Sequence, residues 1–277
     1  MLGVLNRAHG CSLLAESEIP QLLKGLVKEL FDLGQAVANH FDTTNEDTGI
    51  DPKLDSAFGI VLYAIALTTE MAHAHSHVLP GGRIILRSLV ELFITLRFLA
   101  DKDDPTIWKQ YRNYGSGQAK LAFLKNLRED HVPDFIDLKQ LEEFANEDMW
   151  MEFQDIPLGA WANSDLRKMA TEIGCKDVYD KYYSWASGFA HGHWICVRDA
   201  VFSTCLNPLH RLHRILVPPR PLPSTLRDAC ALVNRMLEDL NTLYPPFKPR
   251  VRWHKHKESP ASQESTAPPT TTPPAPP

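Results

Sequence analysis

The chain is poor in the features that most quickly announce a chemistry. Its five cysteines, Cys11, Cys175, Cys196, Cys205 and Cys230, are odd in number and never closer than nine residues. They offer no C-x-x-C spacing and no small disulfide scaffold. A glycine-rich phosphate loop, an H-E-x-x-H pair and a serine nucleophile elbow are all absent, which argues against P-loop nucleotidases, zincin proteases and α/β-hydrolases. Long apolar runs are missing too: the longest, Ala57 to Leu67, is about half of what a membrane span requires. The stretch from Ile84 to Ala100 is broken by Arg87, Glu91 and Arg97. The first residues, MLGVLNRAHGCSLLAESE, lack a continuous apolar core before a cleavage site, so no secretory leader is expected. Together these absences predict a cytoplasmic chain with no membrane association.

What is present is an ordinary globular composition: 277 residues, 44% hydrophobic and 23% charged, with a net charge of −5. Ten of the 21 prolines fall after Tyr244, in a segment ending TAPPTTTPPAPP. Lys248, Arg250, Arg252, Lys255 and Lys257 surround Trp253 just before it, so residues 1–247 alone carry a net charge of −8. An acidic body does not advertise a nucleic-acid surface. The basic run with its tryptophan is a modest pointer to an anionic partner. The predicted organisation is an N-terminal arm (1–17), a helical bundle (18–247), and a basic then Pro/Thr-rich disordered tail (248–277).

Helical periodicity dominates and strand alternation is scarce. Leu22, Leu23, Leu26, Leu30, Leu33 and Val37 build one apolar stripe between Ile19 and Phe41. Asp51-Pro52 is an N-cap followed by N1 proline, and it opens a helix expected to end at Pro80-Gly81-Gly82. A second helix, from Arg83 to Ala100, is apolar nearly all round and is predicted to lie centrally. Asp104-Pro105 starts a third, running to about Arg128. A short helix is expected over 137–149, then an aromatic-rich cover carrying Trp150, Phe153, Pro157 and Trp161, and another short helix near Ser164–Ile173. Asp177–Ser203 reads as one long helix and Ser224–Tyr244 as the last. The fold class is therefore all-α, a single bundle of about seven to eight helices.

Two groups of residues have the spacing of a site. In the long helix, Tyr183, Ser187, His191, Ile195 and Arg198 fall on one face at steps of four and three. Beside them Ser184, Gly188 and Gly192 form a small-residue strip, open to an internal helix contact or a homodimer. His191 is suited to proton transfer near neutral pH, or equally to a core position with its ring nitrogens satisfied by Tyr183 or Ser187. Arg87 and Glu91, four apart on the central helix, need each other or the Tyr183–His191 face as partners, because an unpaired buried charge is costly. Glu70, His73 and His77 offer metal-capable side chains at spacing 0, 3 and 7. That is half of a paired Glu-x-x-His di-metal pattern, or simply histidines favoured at a helix C-terminus. No cofactor is expected.

The order Arg87-Ser-Leu-Val-Glu91, then Tyr183-x-x-x-Ser187-x-x-x-His191-Gly192, resembles a bacterial family of helical proteins known as domain of unknown function 5677. The resemblance spans about Leu54 to Ser203 and implies a bundle in which Arg87, Glu91, Tyr183, Ser187 and His191 face one another. More loosely the layout is similar to the HEPN superfamily, helical proteins of bacterial toxin and antiphage systems. Many of these cleave RNA without a metal, through an Arg and a following His, often across a dimer interface. That likeness implies an RNA-cleaving effector, RNA as substrate and a controlling protein encoded nearby. His191 would then be the general acid/base, Arg87 or Arg198 the phosphate-stabilising cation, and Tyr183 and Ser187 the groups orienting the histidine. Here His191 precedes Arg198, the reverse of the HEPN order, and the Arg-x5-His spacing occurs only from Arg250 to His256. The alternative is a non-catalytic helical interaction module whose Arg/Glu/Tyr/His cluster is structural.

Overall fold

Two Asp-Pro pairs set the start of two long helices. In the computed structural model, which describes residues 21–46, 49–127, 132–146, 161–162 and 164–252, Asp51 caps α2 (Pro52–His73). Its carboxylate accepts from the N–H groups of Lys53 and Leu54 at 2.9 and 3.1 Å. Asp104 likewise caps α4 (Pro105–Asn126) through Thr106 N–H at 2.7 Å. Each carboxylate satisfies donors that a helix start leaves orphaned. Before them α1 (Gln21–Thr44) buries Leu23, Leu26, Leu30, Leu33 and Val37 against α2, the stripe its spacing predicts.

At the centre lies α3 (Pro80–Lys102), covered by α2, α6, α8 and α10. Leu89, Ile94, Leu96 and Leu99 on it are fully buried. It begins earlier than the sequence suggests: Pro80 is the first helical residue rather than a terminator, because its fixed φ and missing N–H suit N1. The preceding helix stops at His73, and His75 turns the chain at φ 53° into a 3-10 turn, Ser76–Val78. The turn is tight. A Cβ on Gly82 would lie 2.5 Å from the Ser76 carbonyl oxygen and 2.8 Å from His77 Cα.

The remaining helices among the described residues are α5 (Leu138–Asn146), α6 (Leu166–Glu172), α7 (Lys176–Val178), α8 (Ser184–Ala190), α9 (Trp194–Val201) and α10 (Leu226–Leu243). The fold is all-α, as predicted, but the single helix expected over 177–203 is not formed. A π-helical turn, Tyr179–Tyr183, leads into α8. That helix ends at Gly192, which takes φ +62° while His193 N–H returns to the Gly188 carbonyl at 2.9 Å. This glycine-terminated cap closes a helix by using the left-handed region that only glycine enters freely. After α9 the chain forms a small antiparallel hairpin, β1 (Phe202–Thr204) with β2 (Arg214–Leu216), pairing Phe202 with Leu216 and Thr204 with Arg214.

The bundle is closed from both ends of the described chain. Phe247 and Val251 are buried. Asn234 on α10 exchanges two hydrogen bonds with Val251, at 2.9 and 2.8 Å, and Arg252 N–H donates to the Glu29 carboxylate on α1 at 2.7 Å. Ordered packing thus extends past residue 247, where the sequence places the start of the tail. Trp161 meets Phe98 and Tyr111 edge-on at 6.0 and 5.2 Å; Trp150, Phe153 and Pro157 of the expected cover lie outside the described residues. By length and composition α2 could cross a membrane, but more than half of its most apolar stretch is buried inside the bundle. It is a core helix.

Candidate functional site

Arg87, Glu91, Tyr183 and Ser187, all singled out by spacing, converge where α3 meets the π-turn and α8. Arg87 and Glu91 are one turn apart on α3 and pair at 2.9 Å. The Arg87 guanidinium also donates to the Tyr183 hydroxyl at 3.0 Å and to Ser187 Oγ at 3.3 Å. Tyr183 in turn donates to Glu91 at 3.0 Å, and the Arg87 guanidinium carbon stands 5.0 Å from the centre of the Tyr183 ring. Desolvation by burial, reinforced by the Glu91 charge, raises the Tyr183 hydroxyl above its ordinary pKa of 10.0. Every member is therefore matched by another. Tyr179 stacks on Tyr183 at 4.7 Å and fixes its ring.

His191 and Arg198 do not join them. The end of α8 leaves His191 exposed at the cap, with the ring of His193 at 6.1 Å as its neighbour. Neither of the environments expected for it, a buried pocket or a satisfied core, is realised. The reversal at Gly192 also removes Ile195 and Arg198 from the face of Tyr183. Arg198 instead lines an open cleft of about 470 Å³ with Trp185, Ile195, Asp199, Phe202 and Arg220. Asp199 and Arg220 are paired there at 3.0 Å. Of the small-residue strip, Gly188 serves an internal contact: a Cβ on it would meet Cys196 Sγ at 2.7 Å.

The Glu70, His73 and His77 set is dispersed, because α2 ends at His73. Glu70 and His73 are exposed, whereas His77 is buried with Nδ1 3.0 Å from Ser224 Oγ. Burial, with the nearby charges of His75 and Arg83, holds the His77 imidazole below its ordinary pKa of 6.5. Favourable interaction with a helix C-terminus, which would raise it, does not govern this residue. Arg83 is buried beside it and donates to the carbonyls of His77 and Leu79 at 3.1 and 3.2 Å, and to that of Pro223.

Two groupings escape the spacing rules. Tyr182, next to Tyr183, donates to Asp228 on α10 at 2.8 Å, so adjacent tyrosines of the π-turn fasten it to two different helices. The doublet in KYYS is its only sequence trace. In the β1–β2 loop, the ligand atoms of Cys205, His210 and His213 all lie within 4.8 Å of one another. Their C-x4-H-x2-H order has no counterpart among common metal motifs. Of the basic segment, Arg250 donates to the carbonyls of Phe247 and Pro249 and Arg252 is tied through its N–H to Glu29; Lys255, Lys257 and Trp253 lie outside the described residues.

The model of a family of unknown function (DUF5677) matches residues 62–204, just over half of the chain. The matched segment contains Arg87, Glu91, Tyr183, Ser187, His191 and Arg198, and stops before Cys205. No curated protein and no solved structure matches the chain.

Proposed function

The chain belongs to the family of unknown function DUF5677, and from that premise we propose that it is a non-catalytic helical interaction module. The observation that carries the reading is the closed hydrogen bonding of Arg87, Glu91, Tyr183 and Ser187, with His191 exposed outside it. An arginine committed to three protein partners is an anchor for α8 more readily than a cradle for phosphate.

The binding element is the β1–β2 arm. Leu206, Leu209, Leu212 and Leu216 on it are 69–93% exposed, and single apolar side chains so gathered mark an interaction surface. From Phe202 to Leu216 the arm has Arg211 and Arg214 but no acidic residue, while residues 1–247 as a whole carry a net charge of −8. A basic, apolar arm on an acidic body complements a second copy of this chain. Sedimentation of the purified protein should show self-association that Leu209→Asp with Leu212→Asp abolishes; a wild-type monomer at tens of micromolar would remove this partner.

The RNA-cleaving effector of bacterial conflict or antiphage defence is the second reading. It is favoured by the cleft in which Arg198 stands beside Trp185 and Phe202, a combination suited to phosphate and base. Induced expression in a bacterial host separates the two. On the module reading, total RNA is unchanged and His191→Ala melts like wild type, since surface changes are usually worth less than about 0.5 kcal/mol. Arg87→Met should then cost about 1–3 kcal/mol of stability by stranding Glu91 and Tyr183. RNA loss that a well-folded His191→Ala abolishes would establish the effector instead.

A further inference from the structure

The loop between β1 and β2 gathers three side chains of the metal-ligating kind. Cys205 leaves β1, His210 ends a 3-10 turn (Pro208–His210), and His213 enters β2. Cys205 Sγ lies 3.3 Å from His210 Nδ1. The backbone holds them in place: Cys205 N–H donates to the His213 carbonyl at 2.9 Å, and His213 N–H to the His210 carbonyl at 3.0 Å. Asn207 Oδ1 accepts from Leu209 N–H at 3.0 Å, capping the turn. Between the histidines, Arg211 and Leu212 take φ 43° and 62° in succession, a left-handed path that such residues adopt reluctantly. This detour brings both imidazoles to the side of the thiol.

We propose that Cys205, His210 and His213 form a binding site for a zinc-class divalent ion. Thiolate with two imidazoles is a borderline-soft set that suits Zn2+ and disfavours Mg2+ or Ca2+. Zn–S and Zn–N bonds of about 2.3 and 2.0 Å put tetrahedral ligand atoms roughly 3.3–3.7 Å apart. The Cys205–His210 pair already has that separation, and the His213 ligand atom lies within 4.8 Å of both. Both histidines are exposed, so the fourth position opens to water. Binding releases the Cys205 thiol proton to solvent and cross-links both ends of the loop that carries Leu206, Leu209 and Leu212. The other described cysteines, Cys175, Cys196 and Cys230, are buried, and burial raises their thiols. The site lies beyond residues 62–204, and so is a property of this chain rather than of the matched family segment.

Cobalt titration of the reduced full-length protein tests the site independently of any self-association. One Co2+ per chain should bind saturably, with the visible bands of tetrahedral cobalt and an intense near-ultraviolet thiolate band, and Zn2+ should displace it. Cys205→Ser should abolish the thiolate band and His213→Asn should weaken binding about tenfold or more, while both variants melt like wild type in chelator. A pale octahedral spectrum, binding without saturation, or a thiolate band that survives Cys205→Ser would overturn the assignment.

Discussion

Gly82 and Gly188 are glycines for reasons that a methyl group would expose. At the first, a Cβ would stand 2.5 Å from the Ser76 carbonyl oxygen; at the second, 2.7 Å from Cys196 Sγ. Alanine at either site should destabilise by about 1–3 kcal/mol, the usual cost of overpacking, and more at Gly82, where the obstacle is backbone. Gly59, mid-helix and exposed, has nothing within 4 Å of where a Cβ would stand, so Gly59→Ala should stabilise by about 0.5–1 kcal/mol. Urea titrations of the three variants check both signs. At this scale the sequence is informative where spacing is short and local. Arg87 to Glu91 and Tyr183 to Ser187 are each one helical turn, and the need to pair a part-buried arginine brings the two pairs together. His191 follows the same arithmetic, yet Gly192 ends the helix at it. The count of four remains true while the face it describes runs out.

Among the elements, the corner between α2 and α3 concentrates buried polar groups. Leu222 N–H reaches the Val78 carbonyl at 2.7 Å, Thr225 N–H reaches that of His77 at 3.1 Å, and Arg83 bridges to Pro223. His77 sits inside this corner as a neutral ring, its pKa lowered by burial and then by His75 and Arg83. In the window below the ordinary value of 6.5, the unfolded chain binds a proton that the folded chain excludes. The contribution of His77 is thus complete above that value and is lost as pH falls through the window. The melting temperature should drop from about pH 7.5 to about pH 5.5, and His77→Asn should flatten the drop; an unchanged slope would exclude His77 as its source. The long helices are legible from apolar stripes and Asp-Pro starts. The corner is not, because Pro80 reads as a stop unless the helix behind it is known to have ended already. The hairpin escapes for a related reason: three paired residues are too few for alternation to register.

For the molecule as a whole, the decisive contacts join segments far apart in sequence. Phe247 is 3% exposed, stacked on His40 at 5.0 Å, and held by Asn241 through its N–H at 2.7 Å. Phe247→Ala should cost about 3–5 kcal/mol, read from denaturant midpoints; a loss below about 1 kcal/mol would mean the strap adds little to the core. Composition hides this strap, since KPRVRW reads as the head of a solvated tail, and burial of Phe247 and Val251 depends on a groove between α1 and α10 that periodicity does not reveal. The same arrangement orders events during synthesis. The apolar side of α2 is completed by α10, which leaves the ribosome more than 150 residues later, at roughly 5–20 residues per second. For that interval a helix hydrophobic enough for a bilayer is without its last neighbour, and the strap cannot close until α10 has emerged.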